Sequence, residues 1–222
     1  MSISLLFTQL RDYIHSLYFC LKVFPIKDAI KTPINISHQV KIGNIYRGAI
    51  ALNGPLYHNR VFIGHQGYSA IAENEGLINI EPGGKLIIEG TARFAQGVRL
   101  WIDQNATITV GDNFYCNKNC LFRAFDNITI GKDVLMGWDI EMNTTDGHHI
   151  IIDGQEKENH GPITIGNHVW VASHVIFSKG SYIFNGSIVS QQSLMISQIV
   201  QSNILVGGIP ARIIKSNVYW DL

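Results

Sequence analysis

A six-residue repeat between Ile165 and Leu194 constrains the fold of this chain more than any other feature of its sequence. The apolar residue that opens each repeat is followed, four positions later, by a valine or a serine; the opening residues are Ile165, Val171, Phe177, Ile183 and Val189. A helix would space its apolar residues by about 3.6 positions, and a half-buried strand would alternate every two. A period of six instead predicts a parallel β-helix with flat faces one repeat wide and three repeats in each coil.

The same period is present earlier in the chain, in blocks that are separated by short polar stretches. The repeated positions are Ile88, Phe94 and Leu100, then Val110, Cys116 and Phe122, then Ile130, Met136 and Met142. Successive blocks begin with similar motifs (ITVGDN, ITIGKD, ITIGNH), in which a glycine directly follows an aliphatic residue. We expect these glycines at corners of the coil, where a side chain or an ordinary φ is hard to accommodate.

Residues 1–33 are predicted to form an N-terminal helical segment, residues 34–208 the β-helix, and residues 209–222 a short C-terminal tail. The first helix carries an apolar stripe and is expected to end near Pro25, with a short second turn behind it. Its apolar segment is too short to span a bilayer. We expect the stripe to pack on the domain or on a neighbouring subunit. Association with a membrane surface is the alternative, although the polar face lacks the Lys and Arg that this mode favours.

Composition argues against several classes of function. The 222 residues include 17 basic and 17 acidic side chains, and a net charge of zero argues against nucleic acid as a partner. The cysteines are Cys20, Cys116 and Cys120, without a C-x-x-C pair, so neither a disulfide framework nor a zinc site is predicted. No secretory signal is visible. We therefore expect a cytoplasmic protein whose cysteines are small buried residues.

One long interruption breaks the repeat at residues 143–162, with the sequence NTTDGHHIIIDGQEKENHGP. Long loops in compact repeat proteins usually carry function. His148 and His149 follow Asp146 closely, and a histidine beside an aspartate can serve as a general base. A solvated loop with incidental histidines is the alternative. Elsewhere, His168 and His174 are six residues apart and fall on adjacent faces, so we predict no metal site there.

Four passages resemble a known family: IGNHVWVAS, VGGIPARIIK, WDIEMNTTDGH and the closing NVYW. They are similar to motifs of the hexapeptide-repeat acyltransferases, and most similar to bacterial O-acetyltransferases of the maltose/galactoside type that act on sugars and polysaccharides. The resemblance implies a left-handed parallel β-helix, a homotrimer with active sites between subunits, and acetyl-CoA as co-substrate without a metal. It also implies a carbohydrate acceptor, such as a sugar of a capsular, exo- or lipopolysaccharide.

The resemblance also implies roles for residues of the interruption. The catalytic base of the family aligns with His148, which would take the proton of a sugar hydroxyl as its oxygen attacks the thioester. Asp146 would orient this histidine or shape the loop, and His149 is the competing choice for the base. No serine or cysteine has a nucleophile's context, so we expect direct transfer without an acyl-enzyme.

Further site residues follow from the same resemblance. Trp170 would lie near the reacting thioester and help to steady the oxyanion. The segment FYCNKN resembles one that contacts the acceptor, which indicates Tyr115 and Asn117. Structural roles are the alternatives: Trp170 could be a packing residue of the wall, and Asn117 a corner residue.

The co-substrate contacts that the resemblance implies lie near the C-terminus. Ser173 and Gln191 would meet the pantetheine arm, while Arg212 and Lys215 would meet the nucleotide phosphates. Both cations could instead be solvated residues of the tail.

The sequence departs from the family between Gln191 and Ser197, where Ile196-Ser197 replaces a Thr-Lys pair. Two other functions therefore stay open: an inactive β-helical scaffold, and an N-acetyltransferase that acts on an amino-sugar nucleotide.

Overall fold

A computed structural model describes residues 3–72 and 74–221 of the chain. The first two residues of the predicted N-terminal segment and the last residue of the predicted tail lie outside the described residues. Within the described part, helices α1 (Ile3–Val23) and α2 (Ile26–Ala29) precede all of the strands. The first helix ends just before Pro25 and a short second helix follows, as the sequence predicts.

The strands are short and follow one another at the intervals of the repeat. In chain order they are β1 (Ile34–Ile36), β2 (Val40–Ile42), β3 (Ile50–Leu52), β4 (Val61–Ile63), β5 (Gly76–Ile80), β6 (Lys85–Ile88), β7 (Ala92–Phe94), β8 (Arg99–Ile102), β9 (Thr107–Val110), β10 (Phe114–Cys116), β11 (Leu121–Ala124), β12 (Ile128–Ile130), β13 (Leu135–Met136), β14 (Glu141–Asn143), β15 (Ile150–Ile152), β16 (Gln155–Lys157), β17 (Ile163–Ile165), β18 (Trp170–Val171), β19 (Ile176–Ser178), β20 (Tyr182–Ile183), β21 (Ile188–Val189), β22 (Leu194–Met195), β23 (Gln198–Ile199), β24 (Ile204–Gly208) and β25 (Ala211–Ser216).

Parallel pairing between strands of successive coils builds the faces of a solenoid, which confirms the predicted parallel β-helix. Face one has the strand order β1-β4-β7-β10-β13-β18-β21-β24-β25. Face two has the order β2-β5-β8-β11-β14-β19-β22, and face three has the order β3-β6-β9-β12-β17-β20-β23. The chain visits the faces in turn, so each coil crosses a first edge from face one to face two, a second edge to face three, and a third edge back to face one.

The repeated apolar positions stack directly on one another inside the solenoid. On face three the register places Ile88, Val110, Ile130, Ile165 and Ile183 in one column. Each of these side chains is buried, as are the openers and the fourth-position residues of the repeat that identified the fold. Burial of one such side chain stabilises a fold by about 1.5–3 kcal/mol, so the columns are the main source of its stability.

Glycines occupy corners as predicted, and at Gly111 and Gly131 the reason is the approach of the next coil rather than a left-handed φ. A Cβ atom on Gly111 would lie 2.5 Å from the carbonyl carbon of Gly131, and one on Gly131 would lie 2.7 Å from the amide nitrogen of Asn167. Other corner positions do adopt the left-handed conformation, and Asp and His occupy it at Asp139 (φ 55°) and His174 (φ 59°). A short polar side chain is more tolerant there than a branched one.

The interruption of the repeat is an arm, residues 144–162, that projects from the second edge. Its tip is the antiparallel hairpin of β15 and β16, in which Ile150 pairs with Lys157, and the hairpin is exposed. Its base is anchored on the wall, because the hydroxyl oxygen of Thr144 accepts hydrogen bonds from the amides of Phe125 and Asp126. The predicted long loop is therefore an arm with a β-hairpin at its tip.

Helix α1 covers the open edge of face one at the N-terminal end. The Oγ of Ser16 accepts a hydrogen bond from the amide of Ile36 (2.9 Å) and lies 3.2 Å from the carbonyl oxygen of the same residue. The Sγ of Cys20 donates to the carbonyl oxygen of Ile34. These contacts satisfy backbone groups of β1 that have no strand beside them. The inner side of α1 thus packs on the domain.

The opposite side of α1 carries the predicted apolar stripe, and this stripe is exposed. Within this chain the stripe therefore does not pack on the domain, and its exposed members are Leu5, Leu6, Leu10, Ile14, Tyr18 and Leu21. Phe7 and Tyr13 on the same helix are exposed as well. Among the described residues, the helices are too short or too polar to cross a membrane. At the other end of the chain, β25 folds back as an antiparallel partner of β24 and extends face one.

We predict that Ser16→Ala lowers the free energy of unfolding by about 1–3 kcal/mol, because it leaves the buried amide of Ile36 without an acceptor. Urea denaturation followed by circular dichroism measures this change. Ser69→Ala removes a hydroxyl from an exposed serine and is the matched control, for which we expect a change within about 0.5 kcal/mol. Equal stability of the two variants would show that the cap on β1 does not depend on this hydroxyl.

Candidate functional site

The outer surface of face one carries a column of side chains that includes two of the predicted site residues. The register aligns Phe62, Arg93, Tyr115, Leu135 and Trp170 on successive coils. Neighbouring strands lie about 4.8 Å apart, so Tyr115 and Trp170 are separated by about 10 Å along the wall. Burial raises the pKa of Tyr115, with smaller contributions from Cys116 and Cys120. Its phenol therefore stays protonated at neutral pH and can donate a hydrogen bond.

Trp170 lies on the outer face of the wall rather than in the core. Its side chain is 38 % exposed and its ring centroid is 6.3 Å from that of Trp220. Trp220 in turn stacks on His168 with centroids 4.3 Å apart, and its indole nitrogen donates to the carbonyl oxygen of His168 (3.0 Å). The C-terminal residues therefore hold an aromatic group next to Trp170.

Three predicted residues line up along the first edge. Asn117, Ser173 and Gln191 each follow a strand of face one, on separate coils. The Oδ1 of Asn117 accepts hydrogen bonds from the amides of Tyr68 and Lys118, both at 2.9 Å. The Oγ of Ser173 accepts from the amide of Trp138 (3.3 Å), and this serine is only 6 % exposed. Both side chains thus also support the corner, whereas Gln191 is exposed.

Arg212 and Lys215 lie on β25, at the C-terminal end of face one, and both are exposed. The guanidinium of Arg212 donates to the carbonyl oxygen of Ala211 (2.9 Å), and Lys215 is aligned with Leu205 of β24. Nothing in the described part of the chain pairs either residue with a carboxylate. Both side chains can therefore form ion pairs with an anionic ligand.

The predicted base lies on the arm, at the second edge. His148 is exposed and has no hydrogen-bond or ion-pair partner among the described residues. Asp146 does not hold it, because its carboxylate pairs with the ammonium of Lys179 at 2.6 Å. Lys179 also donates to the carbonyl oxygen of Glu158, so it connects the segments before β15 and after β16 to the wall. The contact of Asp146 fits the shaping of the arm rather than the orientation of His148.

His149, the competing choice for the base, is engaged across the hairpin. Its imidazole pairs with the carboxylate of Glu156 on the facing strand β16. Of the two adjacent histidines, the one that the family resemblance indicates is therefore the one whose imidazole is available.

A single chain does not bring all predicted site residues together. Tyr115 and Trp170 are on face one, Asn117 and Gln191 are on the first edge, and His148 is on the second edge. In a three-sided solenoid, face two lies between the first and second edges. The arm therefore does not border face one within one chain.

Sequence reasoning missed a cluster on the first edge. The rings of Tyr68 and Trp138 stack with centroids 5.6 Å apart, and His174 stands edge-on to Trp138 at 6.4 Å. The imidazole of His174 is 3.8 Å from the carboxylate of Asp139. The sequence signal that could have indicated this contact is the equivalent position of Asp139 and His174 in the repeat. Both residues adopt the left-handed conformation at a corner of the coil.

Thiol and metal chemistry receive no support from the described residues. Burial raises the pKa of Cys20 to about 11, and it raises that of Cys116 well above the ordinary value. These thiols stay protonated and are poor nucleophiles. The described ranges also contain no group of three or more His, Cys, Asp or Glu side chains that could hold a metal ion.

Comparison with known proteins shows relatives among acetyltransferases. The chain is 30 % identical to galactoside O-acetyltransferase of Escherichia coli (strain K12) over 118 residues, which are 52 % of this chain and 57 % of that relative. It is 27 % identical to an uncharacterized 24.8 kDa protein in the cps region of Klebsiella pneumoniae over 191 residues, 86 % of this chain and 82 % of the relative. The chain therefore matches little more than half of the enzyme, and no protein-family model matches it.

The fold has a counterpart among solved structures. The polySia specific acetyltransferase NeuO superimposes with a TM-score of 0.53 and 17 % identity, covering 85 % of this chain and 82 % of that one. This match confirms the predicted left-handed β-helix. In sequence and in fold the chain thus resembles the hexapeptide-repeat acetyltransferases, as its motifs predict.

Proposed function

We propose that this protein is an O-acetyltransferase that transfers the acetyl group of acetyl-CoA to a hydroxyl of a carbohydrate. The observation that carries the proposal is the ordered arm on a hexapeptide β-helix, which presents His148 without a partner among the described residues. The named relatives support it, since one is a galactoside O-acetyltransferase and another is specific for polySia. The relative from the cps region favours a polysaccharide sugar, such as one of a capsule, as the acceptor.

In the proposed reaction, the neutral imidazole of His148 accepts the proton of the sugar hydroxyl while its oxygen attacks the carbonyl carbon of the thioester. A carbon–oxygen bond forms, the carbon–sulfur bond breaks, and the proton passes from the imidazolium to the leaving thiolate. Because the acceptor oxygen is itself the nucleophile, the protein forms no covalent intermediate. Trp170 would border the thioester, and Tyr115 and Asn117 would contact the acceptor.

The proposed active unit is a homotrimer. His148 and the residues of face one occupy different sides of one solenoid, so a complete site needs the arm of one subunit beside the wall of the next. In a cyclic trimer every subunit would give its arm to one site and its wall to another, which makes three equivalent sites. Arg212 and Lys215 would then meet the phosphates of the co-substrate at the C-terminal end of the wall.

We expect coenzyme A to stabilise the folded protein, because a ligand that binds only the folded state shifts the unfolding equilibrium. At a hundredfold excess over its dissociation constant the gain is about 2.7 kcal/mol, or roughly 5–10 °C in melting temperature. A thermal-shift titration measures it, with adenosine monophosphate as the control. No shift at saturating coenzyme A would favour the inactive scaffold. In a separate activity assay, acetyl transfer to amino sugars alone would favour the N-acetyltransferase.

We predict that His148→Ala lowers kcat by about 10²–10⁴-fold and leaves the affinity for coenzyme A unchanged, because it removes the base and no donor contact. Radiolabelled acetyl transfer to a sugar acceptor measures the rate. His149→Ala and His174→Ala are matched controls and should stay within a few-fold of the unchanged protein. Full activity of His148→Ala together with loss in either control would assign the base to that other histidine.

Mixing two inactive variants tests whether the site is shared between subunits. His148→Ala lacks the base, and Trp170→Ala lacks the wall residue. Random reassembly of equal amounts should restore about a quarter of the original activity, because one interface in four combines an intact arm with an intact wall. Light scattering before and after mixing checks that trimers form and exchange. Exchange without recovery would place the whole site within one subunit.

A further inference from the structure

A pocket of about 340 Å³ lies between α1 and the first coils of the solenoid, away from the arm. Helix α1 contributes Asp12 and Tyr13 to its lining, while Asn35 comes from β1 and His65 from the segment after β4. The pocket is separate from the predicted base and co-substrate residues. Among the described residues, its lining contains no lysine and no arginine.

Two polar atoms that are buried in this region have no partner in the described part of the chain. They are the Oδ1 of Asn35 and the Nε2 of His65. The side-chain Nδ2 of Asn35 already donates to the Oδ1 of Asn59 (3.0 Å), which orients the carboxamide and leaves its oxygen unused. Buried polar atoms are almost always hydrogen-bonded in native proteins, so these two indicate a partner that the described residues do not supply.

The charge and the hydrogen-bonding capacity of the pocket define that partner. The Oδ1 of Asp12 accepts from the amide and the ring of His38 (2.8 and 2.6 Å), which keeps the carboxylate in place. Its Oδ2 is 3.9 Å from the Nδ1 of His65, and burial lowers the pKa of His65, so this imidazole is neutral at neutral pH. The pocket therefore offers acceptors and a negative charge. These groups suit a ligand with several hydroxyl donors and disfavour an anion.

The pocket adjoins the predicted acceptor site through one shared lining residue, His65. His65 also lines a neighbouring pocket of about 140 Å³ together with Phe62, Arg93 and Tyr115. Asn35 and these last three residues occupy four successive positions of the outer column of face one. At about 4.8 Å between strands, the column from Asn35 to Tyr115 is about 14 Å long, which exceeds one pyranose ring.

We propose that the pocket beneath α1 binds a neutral sugar residue of the acceptor, at a distance from the residue that is acetylated. The proposal rests on the proposed function and narrows its substrate class to an oligosaccharide or a polymer. The acceptor chain runs along the outer column, with its acetylated sugar at Tyr115 and a more remote sugar against Asp12, Asn35 and His65.

Binding measured without acetyl-CoA tests the pocket independently of catalysis. Isothermal titration with the neutral tetrasaccharides of glucose, galactose and N-acetylglucosamine should show binding for at least one of them, and the corresponding monosaccharide should bind more weakly. Asn35→Ala and Asp12→Asn should each weaken the binding of the tetrasaccharide by about tenfold. The first variant removes a hydrogen-bond acceptor, and the second removes the charge of one. Asn74→Ala, at an exposed asparagine outside both pockets, is the matched control.

The outcomes separate this inference from the proposed function. A tetrasaccharide that binds through Asp12 and Asn35 but is never acetylated would support the pocket and contradict the acetyltransferase. Acetylation of sugars with unchanged affinity in both variants would overturn the pocket and leave the function standing. If only cationic oligosaccharides such as those of glucosamine bind, the assignment of a neutral sugar is wrong. Circular dichroism confirms that the variants are folded.

Discussion

The stacking of apolar side chains from coil to coil is the interaction on which the rest of this structure depends. Every sixth residue turns inward and lies on the equivalent residue of the coil before it, while the parallel ladders satisfy the backbone between them. The wall therefore tolerates little change of period. Insertions are accommodated at the edges, where they leave the columns intact, and the arm at residues 144–162 is the largest of them.

Because inward positions form the core and outward positions and edges do not, a regular wall can carry a specific site. Outward positions of face one are not needed for the core, so Arg93, Tyr115 and Trp170 can be chosen for their chemistry. The arm moves His148 away from the wall and onto a different edge, and this separates the proposed base from the proposed binding surface within one chain. The proposed trimer would join them, and the pocket beneath α1 would extend the binding surface toward the N-terminus.

Much of the fold was predictable from sequence because its period is local. The positions from Ile88 to Val189 reveal the faces and the core without knowledge of any distant contact. The cap that Ser16 provides for β1 and the pairing of Asp146 with Lys179 were not predictable, since each joins residues far apart in sequence. The hairpin of the arm is a local contact, and its strands were not recognised because the segment is largely polar and lies outside the repeat. For the candidate site, motifs indicated residue identities, whereas the division of those residues between edges emerged only from the strand order. Their catalytic and binding roles stay predictions.

The segments at the two ends of face one affect how copies of the protein can associate through their strand edges. The terminal coils of a solenoid have unpaired strand edges unless another segment covers them. Further strands can pair with such edges repeatedly, which leads to fibres. Here α1 covers the edge of β1, β25 pairs antiparallel with β24 at the other end of face one, and the final strands of faces two and three are only two residues long. These ends differ from the parallel edges inside the solenoid, so the stacking of one copy on the end of another is disfavoured.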